Sequence, residues 1–161
     1  MKPVRHIIPP ALQGVYDNWH FAPAVAASGL LFCSGIIGTS QDGEAPAEDG
    51  LAGAKATTSR ASNTLEALVA VRDPEAQFST AFEALRAVLR EAGADLSDIV
   101  EITTYHVDMS RHMEAFIRVK DRYISPPYPA WTAIGVAELI VPGGLMEIRA
   151  VARDPQAGGA S

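Results

Sequence analysis

One acidic side chain near the end of the chain is the residue best suited to do chemistry. Glu147 lies between Met146 and Ile148 in the stretch 145–152, which is mostly apolar and has the alternation of a β-strand. A carboxylate beside apolar neighbours has its charged form disfavoured, so its pKa rises toward the range of a general acid or base. The alternative is an exposed strand glutamate that pairs with Arg149, two residues further on.

Three other side chains could react, and the sequence leaves the role of each open. His106 is predicted to share a strand face with Ile102 and Thr104, which is more typical of a hydrogen-bonded core histidine than of a catalyst. Cys33 is the single cysteine, has no base beside it in the sequence, and belongs to a residue type that is usually buried. His20 lies in a short aromatic stretch that assigns it no role.

Trp131 is an apolar candidate for a binding site. It follows Tyr128-Pro129 at the start of a predicted strand. An indole offers a large flat surface and one N–H donor, so Trp131 is either a core anchor or a wall against which a ligand stacks. The chain has no Gly-rich phosphate loop, zinc motif or nucleophile elbow, so no metal site is expected.

The bulk composition predicts one globular domain without a membrane span. The chain has 161 residues, 48% of them hydrophobic, and a net charge of −6. A net negative charge does not attract a phosphate backbone, which binds to excess Lys and Arg, so we expect no nucleic-acid partner. The most hydrophobic run, 21–38, is broken by Pro and Gly, so we expect neither a membrane helix nor a secretory signal. A lone cysteine fits a reducing, cytoplasmic location.

Two main helices are predicted to position these residues. Asp73-Pro74-Glu75 is typical of a helix start, because Asp caps free N–H groups and proline tolerates the first turn. This helix is predicted to reach about Ala92 and to stop at Gly93. A second helix is predicted to follow an N-cap at Ser110. The side chains expected on its buried face are Met113, Phe116, Ile117 and Tyr123.

Short apolar or alternating stretches predict the strands. Residues 29–37 predict a largely buried strand containing Ser34-Gly35, and 98–107 predict another in which Val100 shares the face of His106. Two closing strands, about 131–139 and 145–153, flank Pro142-Gly143-Gly144 and predict a hairpin. The N-terminal stretch is consistent with a further pair of strands.

This order of elements predicts an α+β mixed sheet with two main helices on one face. The other face needs a cover, so we expect a homo-oligomer. Residues 1–154 are expected to form the single domain and 155–161 a flexible tail. An insertion at about 51–71 is equally consistent with a short helix and with a mobile excursion.

Four segments, taken together and in order, resemble the RidA/YjgF reactive-intermediate deaminases, also called the endoribonuclease L-PSP family. They are 28–35 (SGLLFCSG), 92–100 (AGADLSDIV), 128–130 (YPA) and 146–152 (MEIRAVA). The resemblance implies a chorismate-mutase-like fold and a homotrimeric barrel with clefts between subunits. It also implies hydrolysis of enamine or imine intermediates, such as 2-aminoacrylate, to keto acids and ammonia, without a metal or organic cofactor.

The resemblance also implies site residues. The family's acid falls on Glu147, its Ser-Gly backbone contact on Ser34 and Gly35, and a pocket tyrosine on Tyr16. The arginine that clamps the substrate carboxylate in those deaminases should follow residues 128–130, where this chain has Trp131. An indole cannot make the bidentate pair that a guanidinium makes with a carboxylate.

The resemblance implies further apolar replacements: Ala133 stands where the family frequently has a cysteine, Phe116 where it has a pocket asparagine, and Ile36 where it has a glutamine or similar residue. The resemblance with these departures therefore implies an imine or enamine deaminase for a bulkier or less acidic small molecule. Glu147 would be catalytic, and Trp131, Phe116 and Ala133 would be substrate-binding. The alternative is a trimer that binds a ligand or a partner without catalysis.

Overall fold

The chain folds around one mixed sheet with helices packed on one face. The computed structural model describes residues 4–46, 50–51 and 69–158. Its strands are β1 (Arg5–Ile7), β2 (Ala24–Ala27), β3 (Leu30–Cys33), β4 (Ile36–Ile37), β5 (Thr39–Ser40), β6 (Val69–Ala70), β7 (Ile99–His106), β8 (Ala130–Gly135) and β9 (Met146–Arg153). Its α-helices are α1 (Gln13–Trp19), α2 (Pro74–Glu91) and α3 (Met109–Tyr123). The predicted α+β mixed sheet is confirmed.

The main sheet has the order β1-β2-β3-β9-β7-β8, and β4 also pairs with β9. All pairs are antiparallel except β7 with β8, which is parallel. The predicted closing hairpin is therefore wrong, because β7 lies between β8 and β9. A turn containing Pro142-Gly143-Gly144 reverses the chain equally well in a hairpin and in a longer connection across a third strand.

The helix α2 supplies most of the core and agrees with the prediction. The Asp73 carboxylate accepts a hydrogen bond from the Ala76 N–H at 2.9 Å, and Gly93 follows the helix with φ 79°. Burial of an apolar stripe on one helix face is the main force that holds such a helix on a sheet. The buried residues of that stripe include Phe78, Phe82, Leu85 and Leu89, and they cluster with Met146, Ile148, Ala150 and Ala152 of β9.

The helix α3 differs from the prediction at its start and on its buried face. It begins at Met109 after Asp108, which adopts a left-handed conformation with φ 49°, so Ser110 is not the N-cap. Asp is among the few residues that tolerate this conformation. Ile117 is 39% exposed, so the prediction that it faces the core is wrong. Val119 is fully buried instead.

A β-bulge changes the predicted faces of β7. The register with β9 shifts between Ile99 and Glu101, and this shift leaves Val100 exposed while Ile99 is buried. An extra residue in one strand breaks the alternation of faces at that point. The prediction that Val100 shares the buried face of His106 is therefore wrong.

The strand predicted over 29–37 is divided into β3 and β4 by Ser34 and Gly35. The Ser34 N–H donates to the Pro23 carbonyl at 2.9 Å, and the Ser34 hydroxyl donates to the Ala22 carbonyl at 2.6 Å. These bonds replace the ladder contacts that the strand loses there. The interruption leaves β4 paired with β9 on one side and without a strand partner on the other, within the described chain.

The N-terminal strand pair is present as β1 and β2, and the short helix α1 between them was not predicted. The possible helix of the insertion lies mostly outside the described residues. Val69 and Ala70, at its end, form β6 and pair with β5. Beyond β9, the Gln156 side chain donates to the Ala92 carbonyl at 3.2 Å.

The face of the sheet that the helices do not cover carries exposed apolar side chains. Phe32 of β3 and Ile134 of β8 are both exposed there, and every residue of β8 is exposed in the single chain. This open face is the surface that the expected oligomer would cover. No helix of the described ranges is long and apolar enough to cross a membrane.

Candidate functional site

A cavity of about 170 Å³ lies beside the unpaired edge of β4. It is closed by α1 and its flanks, by α2, and by the segment that precedes β9. Its apolar lining includes Leu12, Val15, Trp19, Phe21, Ala84, Val88, Ile140 and Val141. Ser34, Gly35, Thr39 and Glu147 provide the polar part of the lining. The cavity thus joins a mainly hydrocarbon wall to a single carboxylic acid.

The carboxyl group of Glu147 lies directly over Gly35. A Cβ atom added at Gly35 would lie 2.7 Å from Glu147 Cδ and 3.0 Å from Cγ, closer than ordinary van der Waals contact. The absence of a side chain at Gly35 therefore lets the carboxylate approach the backbone where β3 and β4 are divided. The conformation of Glu147 and the identity of residue 35 are linked by this contact.

Burial raises the pKa of Glu147 above its ordinary value. The side chain is half-buried, because Glu147 faces away from the helix layer while the cavity walls reduce its hydration. Glu147 and Arg149 form no ion pair, although both project from alternate positions of β9. Within the described residues, the Glu147 carboxyl has no hydrogen-bond partner. It is free to exchange a proton with a ligand.

The structure brings Glu147, Ser34 and Gly35 together at one cavity, but it places Tyr16 beside that cavity and not in its lining. Tyr16 lies on α1, and its ring packs edge-on against His6 with the centroids 6.1 Å apart. Its helix neighbour Val15 lines the cavity instead.

Trp131, Phe116 and Ala133 form a second group, on the helix side of the sheet at β8. The Trp131 indole N–H donates to the Thr104 hydroxyl at 2.9 Å, and its ring centroid is 6.0 Å from that of Phe116. Phe116 has no exposed surface, so it supports the indole and does not line a cavity. Ala133 is exposed on β8 beside Thr104. Within one chain, this group does not line the cavity that contains Glu147.

His106 belongs to the packing beneath Trp131. Its Nε2 lies 2.8 Å from the Thr104 hydroxyl, its ring packs edge-on against Phe116, and its Nδ1 is buried without a partner among the described residues. Burial lowers the pKa of His106 to about 4, so it is neutral at physiological pH. The interpretation as a hydrogen-bonded core histidine fits this environment.

Cys33 and His20 lie outside the lining of the cavity that contains Glu147. Cys33 is buried, and desolvation raises the pKa of its thiol to about 12, although the charge of Arg149 opposes this shift. A thiol with such a pKa is a poor nucleophile. His20 is exposed at the end of α1, with φ 59°. No group of three or more His, Cys, Asp or Glu side chains in the described ranges could hold a metal ion.

Sequence reasoning missed the apolar residues that complete the cavity. Val88 belongs to the stripe of α2 that was assigned to the core, and it is also exposed to the cavity. Phe21 and Ile140 lie in irregular segments and remain 42% and 57% exposed. Large apolar residues between Gly and Pro signals are a weak sign of a binding surface, and only their spatial meeting with Glu147 makes them informative.

The sequence model of the family described as "Endoribonuclease L-PSP" matches residues 15–154. The RutC family protein YjgH of Escherichia coli K12 is 31% identical over 151 residues, which cover 93% of this chain and 95% of that protein. A solved structure of a protein YJGH has a TM-score of 0.69 at 29% identity and covers 94% of this chain and 96% of its own.

Two more distant structures share the fold. A member of the YjgF/YER057c/UK114 family from Mycobacterium tuberculosis has a TM-score of 0.67 at 21% identity, with 94% of this chain and 99% of that chain covered. A RidA from the Antarctic bacterium Psychrobacter sp. PAMC 21119 has a TM-score of 0.63 at 23% identity, with 92% and 99% covered.

Proposed function

This chain belongs to the endoribonuclease L-PSP (YjgF/RidA) family, and from that premise we propose that it hydrolyses an imine or enamine to a carbonyl compound and ammonia. The observation that carries the proposal is the Glu147 carboxyl group, which is half-buried, has no hydrogen-bond or ion-pair partner among the described residues, and lies in the wall of a cavity of about 170 Å³. Perturbed acids in such cavities are typical of sites of proton transfer.

The reaction that we propose needs one group to move protons twice. As a carboxylate, Glu147 takes a proton from water while the water oxygen bonds to the imine carbon. The protonated acid then gives that proton to the nitrogen, which completes a carbinolamine. The Glu147 carboxylate next takes the hydroxyl proton of the carbinolamine and passes it to the nitrogen, so the C–N bond breaks and ammonia leaves as the carbonyl forms. An enamine first takes a proton on carbon and loses one from nitrogen, which makes it the imine. A raised pKa makes the Glu147 carboxylate a stronger base toward water in the first step than an ordinary glutamate would be.

The backbone at Ser34 and Gly35 would orient the ligand. Here the chain leaves the ladder between β3 and β4, so backbone groups at this point can face the cavity. We propose that the Gly35 N–H donates to the polar end of the substrate. Neither step uses a metal or an organic cofactor.

We also propose that the working form is a cytoplasmic homotrimer with its sites between subunits. The exposed edge strand β8 and the apolar open face of the sheet support an assembly of copies. In such an assembly, Trp131 and Ala133 of one copy could reach the Glu147 cavity of its neighbour. Light scattering of the purified protein should give a mass of three times the 17.1 kDa chain, and a monomer would contradict this arrangement.

Measurement of ammonia release from enzymatically generated imines tests the proposed reaction. We expect release above the spontaneous rate, and a loss of about 100-fold or more in Glu147→Gln, which keeps the shape of the side chain but cannot take up a proton. Rapid turnover of 2-aminoacrylate would show that Trp131 does not exclude small anionic substrates.

The competing function is binding without catalysis, which the replacement of a cationic position by Trp131 favours. In that case Glu147→Gln would leave ligand affinity almost unchanged, and no imine would turn over. Cleavage of RNA is disfavoured by the net charge of −6. RNA binding that weakens steeply with salt would contradict that conclusion.

A further inference from the structure

We infer that the Glu147 cavity selects imines that carry a hydrocarbon group of about phenyl size and no carboxylate. This inference rests on the proposed function, because it names the substrate class of the same site. It follows from the charge of the cavity, from its size, and from the residues at its mouth.

The charge of the lining opposes an anionic ligand. Glu147 is the one titratable side chain among the lining residues of the described chain, and none of them is Lys or Arg. A ligand carboxylate would therefore meet a carboxylate in a poorly hydrated cavity without a compensating cation. A neutral imine, or its protonated iminium form, would instead gain a hydrogen bond or an ion pair with Glu147.

Two cations of the described chain, Arg149 and Lys120, lie outside the lining of the cavity. Arg149 is exposed on β9 and does not line the cavity. Lys120 lies over the Trp131 ring at 5.2 Å from its centroid and also pairs with Asp121 at 2.6 Å. Among the described residues of a single chain, the lining thus contains no cation of the kind that recognition of a carboxylate would require.

The size of the cavity fits one ring or one short branched chain. Its volume of about 170 Å³ is close to the ~150 Å³ of an engineered apolar cavity that binds benzene. Aliphatic and aromatic side chains form most of its wall, including Val15 and Trp19 of α1 and Val88 of α2. Such a wall stabilises hydrocarbon by removing it from water and gives nothing to a charged group.

Two of the residues that line the cavity are also exposed to solvent, and we call the opening between them the mouth of the cavity. Phe21 and Ile140 line the cavity and are 42% and 57% exposed. A hydrocarbon group that passes between them would cover apolar surface that otherwise faces water. Because Ile140 is not in the core, its substitution can change the cavity without removing packing that the fold needs.

The matched pair of 2-phenylethylamine and L-phenylalanine tests the inference, since the two compounds differ only in the carboxylate. Neither is a substrate, so titration calorimetry with the full-length protein measures binding alone. We expect the amine to bind at least tenfold more tightly. In Glu147→Gln this preference should fall several-fold. Equal affinity, tighter binding of phenylalanine, or binding of neither compound would overturn the inference.

The corresponding imines test the same preference in turnover. An amine oxidase produces the carboxylate-free imine from 2-phenylethylamine, and an L-amino-acid oxidase produces the imino acid from phenylalanine. We expect acceleration of ammonia release to be at least tenfold greater for the carboxylate-free imine. A preference in binding without turnover would refute the proposed function and leave the ligand class intact. Turnover of both imines at equal rates would refute the ligand class and leave the function intact.

A change at the mouth should move the preference in the predicted direction. Ile140→Lys adds a cation to the lining, so we expect the affinity ratio to shift at least fivefold toward phenylalanine. Ile117→Lys is the matched control, because Ile117 is 39% exposed on α3 and does not line the cavity. An equal shift in both variants, or none in Ile140→Lys, would contradict the assignment of this cavity.

Discussion

Two glycines that are three residues apart should respond to alanine in opposite ways. Gly35 contacts the end of a side chain, since a Cβ there would lie 2.7 Å from Glu147 Cδ. Gly38 contacts main chain, since a Cβ there would lie 2.8 Å from the carbonyl carbon of Gln77 in α2. Neither glycine has a positive φ, so the space around each Cβ decides the outcome.

In Gly35→Ala the carboxyl group of Glu147 can rotate away. Ordinary contact begins at 3.4 Å, so Cδ must retreat by at least about 0.7 Å from its 2.7 Å position. Loss of chain entropy in the unfolded state favours alanine by ~0.4–1 kcal/mol and offsets much of the cost of that movement. We therefore expect the free energy of unfolding to change by less than about 1 kcal/mol. Displacement of a catalytic group by about 1 Å can cost ~100-fold in rate.

In Gly38→Ala the helix α2 itself must move. Overpacking of this kind costs about 1–3 kcal/mol or more, and at this chain length each kcal/mol lowers Tm by roughly 2–4 °C. Residual activity per folded molecule should stay near that of the parent protein, because Gly38 does not line the cavity.

Urea denaturation and imine hydrolysis, measured on both variants, separate the two effects. The expected pattern is an inactive, stable Gly35→Ala and an active, destabilised Gly38→Ala. Full activity in Gly35→Ala would show that the approach of Glu147 to residue 35 has no role in the reaction. Equal destabilisation of the two variants would refute the distinction between side-chain and main-chain contact.

Four further predictions concern the pH dependence at Glu147, the pH dependence at His106, the indole of Trp131 and the start of α2. Burial raises the pKa of Glu147, so the folded state holds its proton to higher pH than the unfolded state does, and the free energy of unfolding should fall as pH rises from the unfolded-state pKa to the folded-state pKa. This fall should disappear in Glu147→Gln. An unchanged dependence of the free energy of unfolding on pH in that variant would contradict the prediction. Burial lowers the pKa of His106 to about 4 from 6.5, so stability should fall as pH drops from 6.5 to 4, and denaturation of His106→Asn should show a flatter profile. Trp131→Phe removes the N–H that bonds Thr104 and should cost about 1 kcal/mol, measured by urea denaturation; no loss would mean that water replaces the bond. Asp73→Ala should lower the free energy of unfolding by ~1 kcal/mol, because the N-cap hydrogen bond of α2 is lost, whereas Asp73→Asn should keep most of the stability that the cap provides. Equal losses of stability in the two variants, measured by urea denaturation, would exclude capping as the cause.

Local sequence patterns predicted the helices and strands themselves better than they predicted which strands lie side by side in the sheet. The start and end of α2 follow from the hydrogen-bonding ability of Asp73 and the conformational freedom of Gly93, which are properties of single residues. The closing strands also exist, but their pairing was wrong. Alternation of apolar residues shows that a strand has a buried face and says nothing about which strand lies beside it.

The same limit applies to the bulge in β7 and to Ile117. A bulge depends on the register with the partner strand, so Val100 gives no local sign that it will be exposed. Ile117 is apolar and at helical spacing, yet only the position of the sheet decides which side of α3 is covered.

For the site, the sequence by itself determined the kinds of groups available: one acid among apolar residues at Glu147, a glycine at residue 35, and an indole where the resemblance expects a cation. The acid and the glycine follow from residue type and spacing alone, whereas the expected cation is what the resemblance implies. Only the tertiary structure decided which of them meet. It places Glu147 over Gly35 in a cavity whose apolar walls come from segments far apart in the chain, and it places Trp131 in a separate cluster with Phe116. Contacts between distant segments depend on how the helices and strands pack, and a pattern within one segment does not contain that information.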